Sequence, residues 1–407
     1  MVTIEEARNL ILEAARPLSV EEVGISECYG RVLAESIVAQ SDIPPFDNSS
    51  MDGFAVHAAD TIAATEDAPA ELTLVETIAA GRTSSRVLAL GETARIMTGA
   101  PLPPGADAVV EQEATAAGAD HVLIMRAVDP GTNVRFAGED LAAGDLVLSP
   151  GDSLGPAEIG MLASLGFPRV RVHRLPRVAI LATGSELVEV DQPLAAGQIR
   201  NSNSYTAEAQ CRQLGISPVR LGIAPDDYLV TRDMVEKGLS YDVLITSGGV
   251  SVGEFDFVKD VQDALGVERR LWQVAMKPGK PLSFGVHGTT LVFGVPGNPV
   301  ASMVSFELFV RPALLRLMGH SKVLRPTLKA VLAEDAPNRF GRVHVMRVRA
   351  WREGNRWKVS STGPQGSGIL RSMVHANGLV FIPADAWGLR VGDEVDLILL
   401  RDEAVEA

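Results

Sequence analysis

The chain has 407 residues, 46% of them hydrophobic and 22% charged, and carries a net charge of −14. That length predicts several domains, the hydrophobic share excludes a disordered chain, and the acid excess argues against nucleic acid as the main partner. Only Cys28 and Cys211 occur, far apart and without a C-x-x-C spacing, which excludes a disulfide framework and a thiolate zinc site and suits a reducing cytoplasm.

The seven histidines show no paired metal spacing, the N-terminus lacks a basic-then-apolar leader, and no apolar run is long enough to span a bilayer. From Thr3 to Arg16 the spacing predicts an amphipathic helix, with Thr3 and Glu6 as a capping box and Pro17 as its stop. Residues 24–40 carry another short element, and Pro44-Pro45 then break the pattern at a predicted boundary. Asp52 precedes Gly53 at what reads as a loop tip, where a short acid ordinarily makes a turn. Short runs at 71–78, 93–97, 108–112 and 121–128 predict a small, mostly β inserted domain.

From Pro176 to about His320 strands and helices alternate, which predicts a doubly wound parallel sheet with right-handed crossovers. Three strand-to-loop transitions stand out. Arg177–Ala182 runs into Thr183-Gly184-Ser185-Glu186-Leu187. Val243–Ile245 runs into Thr246-Ser247-Gly248-Gly249, with Ser251, Glu254 and Asp256 following. Thr290–Val295 runs into Pro296-Gly297-Asn298-Pro299, with a helix from about Val300. Taken alone, the Gly-Gly stretch fits a plain turn as well as it fits an anion cradle trailed by cation-binding carboxylates. Taken together, such loops meet in one crevice at the carboxyl ends of neighbouring parallel strands. Between the second and third, Lys277-Pro-Gly-Lys280 presents two ammonium groups suited to an oxyanion. Asp226 and Asp227 open a further helix; capping accounts for one of them, and for Asp226 a ligand role competes with capping. Beyond Pro326 the strands at 342–351, 357–361, 379–383 and 394–400 predict a compact β-barrel or sandwich, with Thr362–Gly368 as a small-residue loop.

The ordered series Ser49-Ser-Met-Asp-Gly-Phe-Ala-Val56, Arg95–Pro101, Gly138-Glu-Asp140, Thr183–Leu187, Thr246–Glu254, Lys277–Pro281, Pro296–Val300 and Ser361–Gly368 resembles the MoeA family. These are molybdopterin molybdenumtransferases that include the C-terminal domain of gephyrin. The resemblance spans essentially the whole chain. It implies a helix at 1–20, a linking α/β layer at 21–40 with 140–172, an inserted β-rich domain at 41–139, a molybdopterin-binding α/β domain at 173–322 and a barrel-like domain at 323–407. It also implies a homodimer that transfers molybdenum from molybdate into adenylylated molybdopterin, releasing AMP with Mg²⁺.

By the same resemblance Thr183, Gly184, Ser247, Gly248, Gly249, Ser251, Pro296, Gly297 and Pro299 hold the pterin and its phosphates, with the glycine amides as donors. Lys277 and Lys280 neutralise the anions, Glu186 and Asp256 hold Mg²⁺, and Asp226 stands with them as a catalytic candidate. Asp52, Thr98 and Asp140 enter the cleft from the partner subunit, and Arg347 and Ser367 help hold molybdate. Two departures from the family pattern are Ala301-Ser302, where relatives have serine directly after Pro-Gly-Asn-Pro-Val, and Gln273, where some have lysine. Two other readings stay open: adenylyl transfer to molybdopterin, as in the smaller sister family, and a non-catalytic scaffold. A dehydrogenase does not fit, because no G-x-G-x-x-G follows a strand. Expected partners extend to a molybdopterin adenylyltransferase and acceptor molybdoenzymes.

Overall fold

A computed structural model describes residues 1–249, 257–338 and 341–401. The chain forms two compact units: residues 1–35, 150–159 and 168–407 make one, and residues 36–149 and 160–167 the other.

The larger unit begins with helix α1 (Ile4–Ala14), whose capping box is formed as the sequence predicts. The Thr3 hydroxyl accepts from the Glu6 amide, and the Glu6 carboxylate accepts from the Thr3 amide. Its inward face buries Ile4, Ala7 and Ile11. A six-stranded sheet follows, built from β1 (Val178–Thr183), β2 (Val219–Ala224), β3 (Val243–Ser247), β4 (Glu268–Gln273), β5 (Pro281–His287) and β6 (Thr290–Val295), in the order β2-β1-β3-β6-β5-β4. The crossover helices include α2 (Asn203–Arg212), α3 (Tyr228–Gly238) and α4 (Phe257–Ala264), with α5 (Pro299–Ser305) and α6 (Arg311–Leu317) closing the layer.

Successive residues of a strand point to opposite faces, and the core divides accordingly. Val178, Ile180, Val243 and Ile245 join Ile11 on one face, while Ala179, Leu181 and Leu244 pack with Val235 and Val261 on the other. This double coverage is why these strands read as unbroken apolar runs. The all-parallel expectation needs correction. β2, β1, β3 and β6 are parallel, but β5 runs antiparallel to β6 and β4 antiparallel to β5. His287 and Thr290 pair across two residues containing Gly288, so the chain returns by a hairpin and no crossover helix is required.

The last part of this unit is a closed barrel of β7 (Leu328–Leu332), β8 (Val343–Glu353), β9 (Arg356–Ser361), β10 (Gly378–Ile382) and β11 (Glu394–Leu399), ordered β8-β9-β7-β11-β10 and back to β8. Its interior holds Ala330, Leu332, Met346, Val348, Val359, Val380 and Leu397. Lys277 is not on a free turn. Met276 and Lys277 form a short parallel pairing with Val343 and His344 at the start of β8.

The smaller unit is a six-stranded sheet in the order 108–111, 53–56, 92–96, 70–78, 121–124, 115–117. Asp52 sits exposed in a bend, as its place before Gly53 suggests, and the run Gly53–Val56 that follows is a fully buried strand of this sheet. Gly53 is required by space, since a Cβ there would lie 2.0 Å from the Val110 carbonyl oxygen.

Candidate active site

At the carboxyl ends of β1, β3 and β6 lies a cavity of about 640 Å³. Its walls include Thr183, Glu186, Ser247, Gly248, Gly249, Pro296, Gly297 and Pro299, so eight of the residues expected to bind ligand converge on one space. The convergence depends on glycine. Gly248 has φ +91°, and a Cβ on it would come within 2.7 Å of the Thr183 carbonyl oxygen. The expectation that glycine amides act as donors is corrected for two of them. The Gly248 amide donates to Val295 (3.1 Å) and the Gly184 amide to Ala224 (3.0 Å), so both bonds tie adjacent loops together. These glycines serve close approach, and the hydroxyls of Thr183 and Ser247 are among the polar groups of that wall.

Glu186 and Arg200 are the ionisable side chains among the described lining residues. The Glu186 carboxylate folds back over Gly184, close enough that a Cβ on that glycine would collide with it at 2.3 Å. It makes no hydrogen bond or ion pair among the described residues. Arg200 is held by the carbonyl of Val190 (3.1 Å to Nε). Asp226 does not line the cavity. Its carboxylate accepts from the Ser185 amide (3.2 Å) and its amide donates to the Ser185 hydroxyl (2.9 Å), clamping the loop that carries Glu186. Asp227 is the helix cap, accepting from the amides of Leu229 and Val230.

Asn203, at the start of α2, was not anticipated. It is buried, and its Nδ2 donates to the Ser247 hydroxyl (2.7 Å) and to the Gly297 carbonyl (2.8 Å), bridging two of the three loops. Asn201 is also buried and accepts from the Ser204 amide. The run Asn201-Ser-Asn-Ser204 before a helix gave a signal, but in sequence it reads only as helix-capping residues. From the barrel side Gly368 completes the wall, and the Ser367 carbonyl accepts from the Val300 amide at 3.1 Å, docking the 362–368 loop on α5.

Arg347 is not among the main cavity's lining residues. It is fully buried, donating through Nε to Ser372 (3.2 Å) and through Nη2 to the Gly366 carbonyl (3.1 Å), and burial holds its pKa down at about 10. It braces the 362–368 loop from beneath, and its Nη1 is buried without a hydrogen-bond partner among the described residues. Lys277 lines a separate cavity of about 630 Å³ with Glu334, Asp335, His344 and Gln365. Lys280 is half-buried one residue before Pro281, which does line the main cavity. Ser302 is buried within α5 and is not among the main cavity's lining residues, and the Gln273 carbonyl accepts from the Val2 amide. Ser251 and Asp256 lie outside the described residues.

In the smaller unit Asp52 and Thr98 are paired. One Asp52 oxygen accepts from both the amide and the hydroxyl of Thr98, each at 2.7 Å. The amide first and the hydroxyl second hold this exposed carboxylate below its ordinary pKa. Asp140 is exposed, and its amide donates to the Ile43 carbonyl. No helix among the described residues is long and apolar enough to cross a membrane.

Comparison with known proteins agrees along the whole chain. Residues 2–166 match the MoeA N-terminal region (domain I and II), residues 179–316 a probable molybdopterin binding domain, and residues 329–400 the MoeA C-terminal region (domain IV). A molybdopterin molybdenumtransferase of Staphylococcus epidermidis is 34% identical, covering 100% of this chain and 97% of its own. The molybdopterin molybdenumtransferase 2 of Mycobacterium tuberculosis is 38% identical over 98% of this chain and 99% of its own. The crystal structure of a molybdopterin biosynthesis MoeA protein from Pyrococcus horikoshii superposes with a TM-score of 0.83 at 33% identity, covering 99% of this chain and 100% of that one. With its three regions, glycine-built cavity and full-length relatives in agreement, the chain belongs to the MoeA family of molybdopterin molybdenumtransferases, transferases of molybdenum cofactor biosynthesis.

Proposed function

We propose that the protein transfers molybdenum from molybdate into adenylylated molybdopterin and releases AMP with the help of Mg²⁺. The observation that carries this reading is the cavity at the sheet's carboxyl end, walled by small residues and hydroxyls and holding, among the described residues, one carboxylate that makes no hydrogen bond or ion pair. Its volume of about 640 Å³ is that of a small-molecule site. Thr183 and Ser247 would orient phosphate oxygens, and Asn203 would keep the second and third loops in register around the pterin.

The donor set fits Mg²⁺. That ion takes one or two carboxylates and completes its shell with substrate phosphate and water. Glu186 would be one ligand, with Asp256 assigned from sequence as the second. Bound there, the ion would polarise the phosphoryl group as a Lewis acid. Lys280 would offset anionic charge beside the cavity, and Asp226 would fix the loop carrying Glu186. Arg347 would act by positioning Ser367 and its loop.

The reading extends to a cytoplasmic homodimer in which Asp52, Thr98 and Asp140 of one copy face the cavity of the other. It keeps the five-segment division of the chain given above. The test is a single-turnover reaction of purified protein with adenylylated molybdopterin, molybdate and Mg²⁺, following AMP and activation of a cofactor-free molybdoenzyme. Molybdate-dependent AMP release with activation is expected. Adenylylation of free molybdopterin by ATP, or binding without release, would overturn the reading.

A further inference from the structure

Away from the catalytic cavity, a second cleft of about 460 Å³ opens between α1, the helical stretch 306–317 and barrel strands β8, β10 and β11. Three guanidinium groups line it, those of Arg8, Arg311 and Arg325. Arg325 and Arg311 share one carboxylate, with Glu307 2.6 Å from Nε of the first and 3.7 Å from Nε of the second. Arg8 is half-buried, yet its guanidinium makes no hydrogen bond or ion pair among the described residues. Of the remaining acids on the wall, Asp396 is engaged by Lys329 at 2.8 Å and Glu5 is exposed. Burial lowers the pKa of Arg8, the nearby charge of Glu5 offsetting this in part, and its guanidinium keeps its hydrogen-bond donors free of protein acceptors among the described residues. The rest of the cleft is apolar, supplied by Leu308, Phe381 and Ile398 among others. Glu307 and Leu308 sit in the π-helical turn Phe306–Val310, a departure from α-helix that often accompanies functional sites.

We propose that this cleft binds a small organic anion, with a carboxylate head on Arg8 and Arg311 and an apolar body along Leu308 and Phe381. The planar guanidinium fork matches a carboxylate with two parallel hydrogen bonds, and the apolar wall begins beside it. The wall sets three guanidiniums against three acids, one of which, Asp396, is drawn off by Lys329, so cationic groups remain for a ligand even in a chain whose net charge is −14. The site does not rest on the reaction proposed above, so failure of one leaves the other standing.

The test is calorimetric titration of the full-length protein with 4-phenylbutyrate, and with 4-phenylbutanol as the uncharged counterpart. Saturable one-to-one binding of the anion is expected, with the alcohol weaker by about tenfold or more. Arg8→Gln is expected to weaken the anion by about tenfold or more while molybdenum transfer stays at the parent rate. Arg8→Lys, which keeps the charge but loses the fork, is expected to fall between the two and carries the test should Arg8→Gln fail to fold. No saturable binding, equal binding of the alcohol, or undiminished binding in the Arg8 variants would each overturn the proposal.

Discussion

The cavity at the end of the central sheet and the Asp52–Thr98 pair are built on opposite principles. In the cavity, backbone approaches backbone. Gly248 lies against Thr183, Asn203 ties Ser247 to Gly297, and Asn203 and Ser247 are buried. At the pair, an exposed carboxylate is held in water by two short hydrogen bonds from one residue. The first arrangement is inseparable from folding. The second is a surface device that is cheap to alter for stability and costly only for whatever the carboxylate does. Substitutions at the two places should therefore separate stability from turnover.

The largest effect is expected from Gly248→Val. Its φ of +91° and the Thr183 oxygen in the path of a Cβ leave no room, and backbone strain alone costs about 1–3 kcal/mol. Urea unfolding should show that loss together with abolished molybdenum transfer; a native midpoint would break the contrast. Glu186→Gln comes next. It removes the one carboxylate among the cavity's described lining residues, and single-turnover rates are expected to fall by roughly a hundredfold or more at an unchanged urea midpoint. An unchanged rate would remove Glu186 from the chemistry.

Asp52→Asn is expected to leave the urea midpoint unchanged, as exposed positions do, while lowering turnover. Thr98→Ala sharpens this through pH. Losing the hydroxyl removes one cause of the depressed Asp52 pKa, so the acid limb of the rate–pH profile should move to higher pH. A limb that stays put would show that the Asp52 carboxylate does not govern it.

The smallest effect concerns the barrel. Burial first, and Lys277 second, push His344 down to about 4, whereas the unfolded ring titrates near 6.5. The unfolded state therefore binds more protons between those values, and this contribution to stability is lost as pH falls through the window. Denaturant midpoints of His344→Leu and the parent should converge as pH is lowered from 7 towards 4. A constant gap would place the histidine in water.

The glycine loops and their neighbouring strands were legible in sequence, because strands buried on both faces leave unbroken apolar runs that end abruptly at glycine. The roles of particular groups were less so. Whether the Gly184 and Gly248 amides face a ligand or a neighbouring carbonyl depends on loops distant in sequence, and both turned to carbonyls. Arg347 was a molybdate candidate by resemblance alone, and its burial against Ser372 and the Gly366 carbonyl, on the outer face of the barrel, exists only once the 362–368 loop folds over β8. Asn203 was hidden for the converse reason: a polar residue at a helix start reads as a cap, and its bridging role exists only once Ser247 and Gly297 come within reach. The hairpin β5–β6 was missed because periodicity reports burial and not strand direction.

In the order of the chain the last eighty or so residues look detachable, a barrel placed after everything else. In the order of hydrogen bonds they are not. Met276 and Lys277 run beside the first residues of β8, and the Val300 amide finds its acceptor at Ser367. Ending the chain before β7 would strip main-chain partners from the lysine turn and from the first turn of α5, both adjoining the cavity. The barrel is thus part of the frame in which that cavity is set, and neither grafting it elsewhere nor trimming it away would be neutral for the segments it braces.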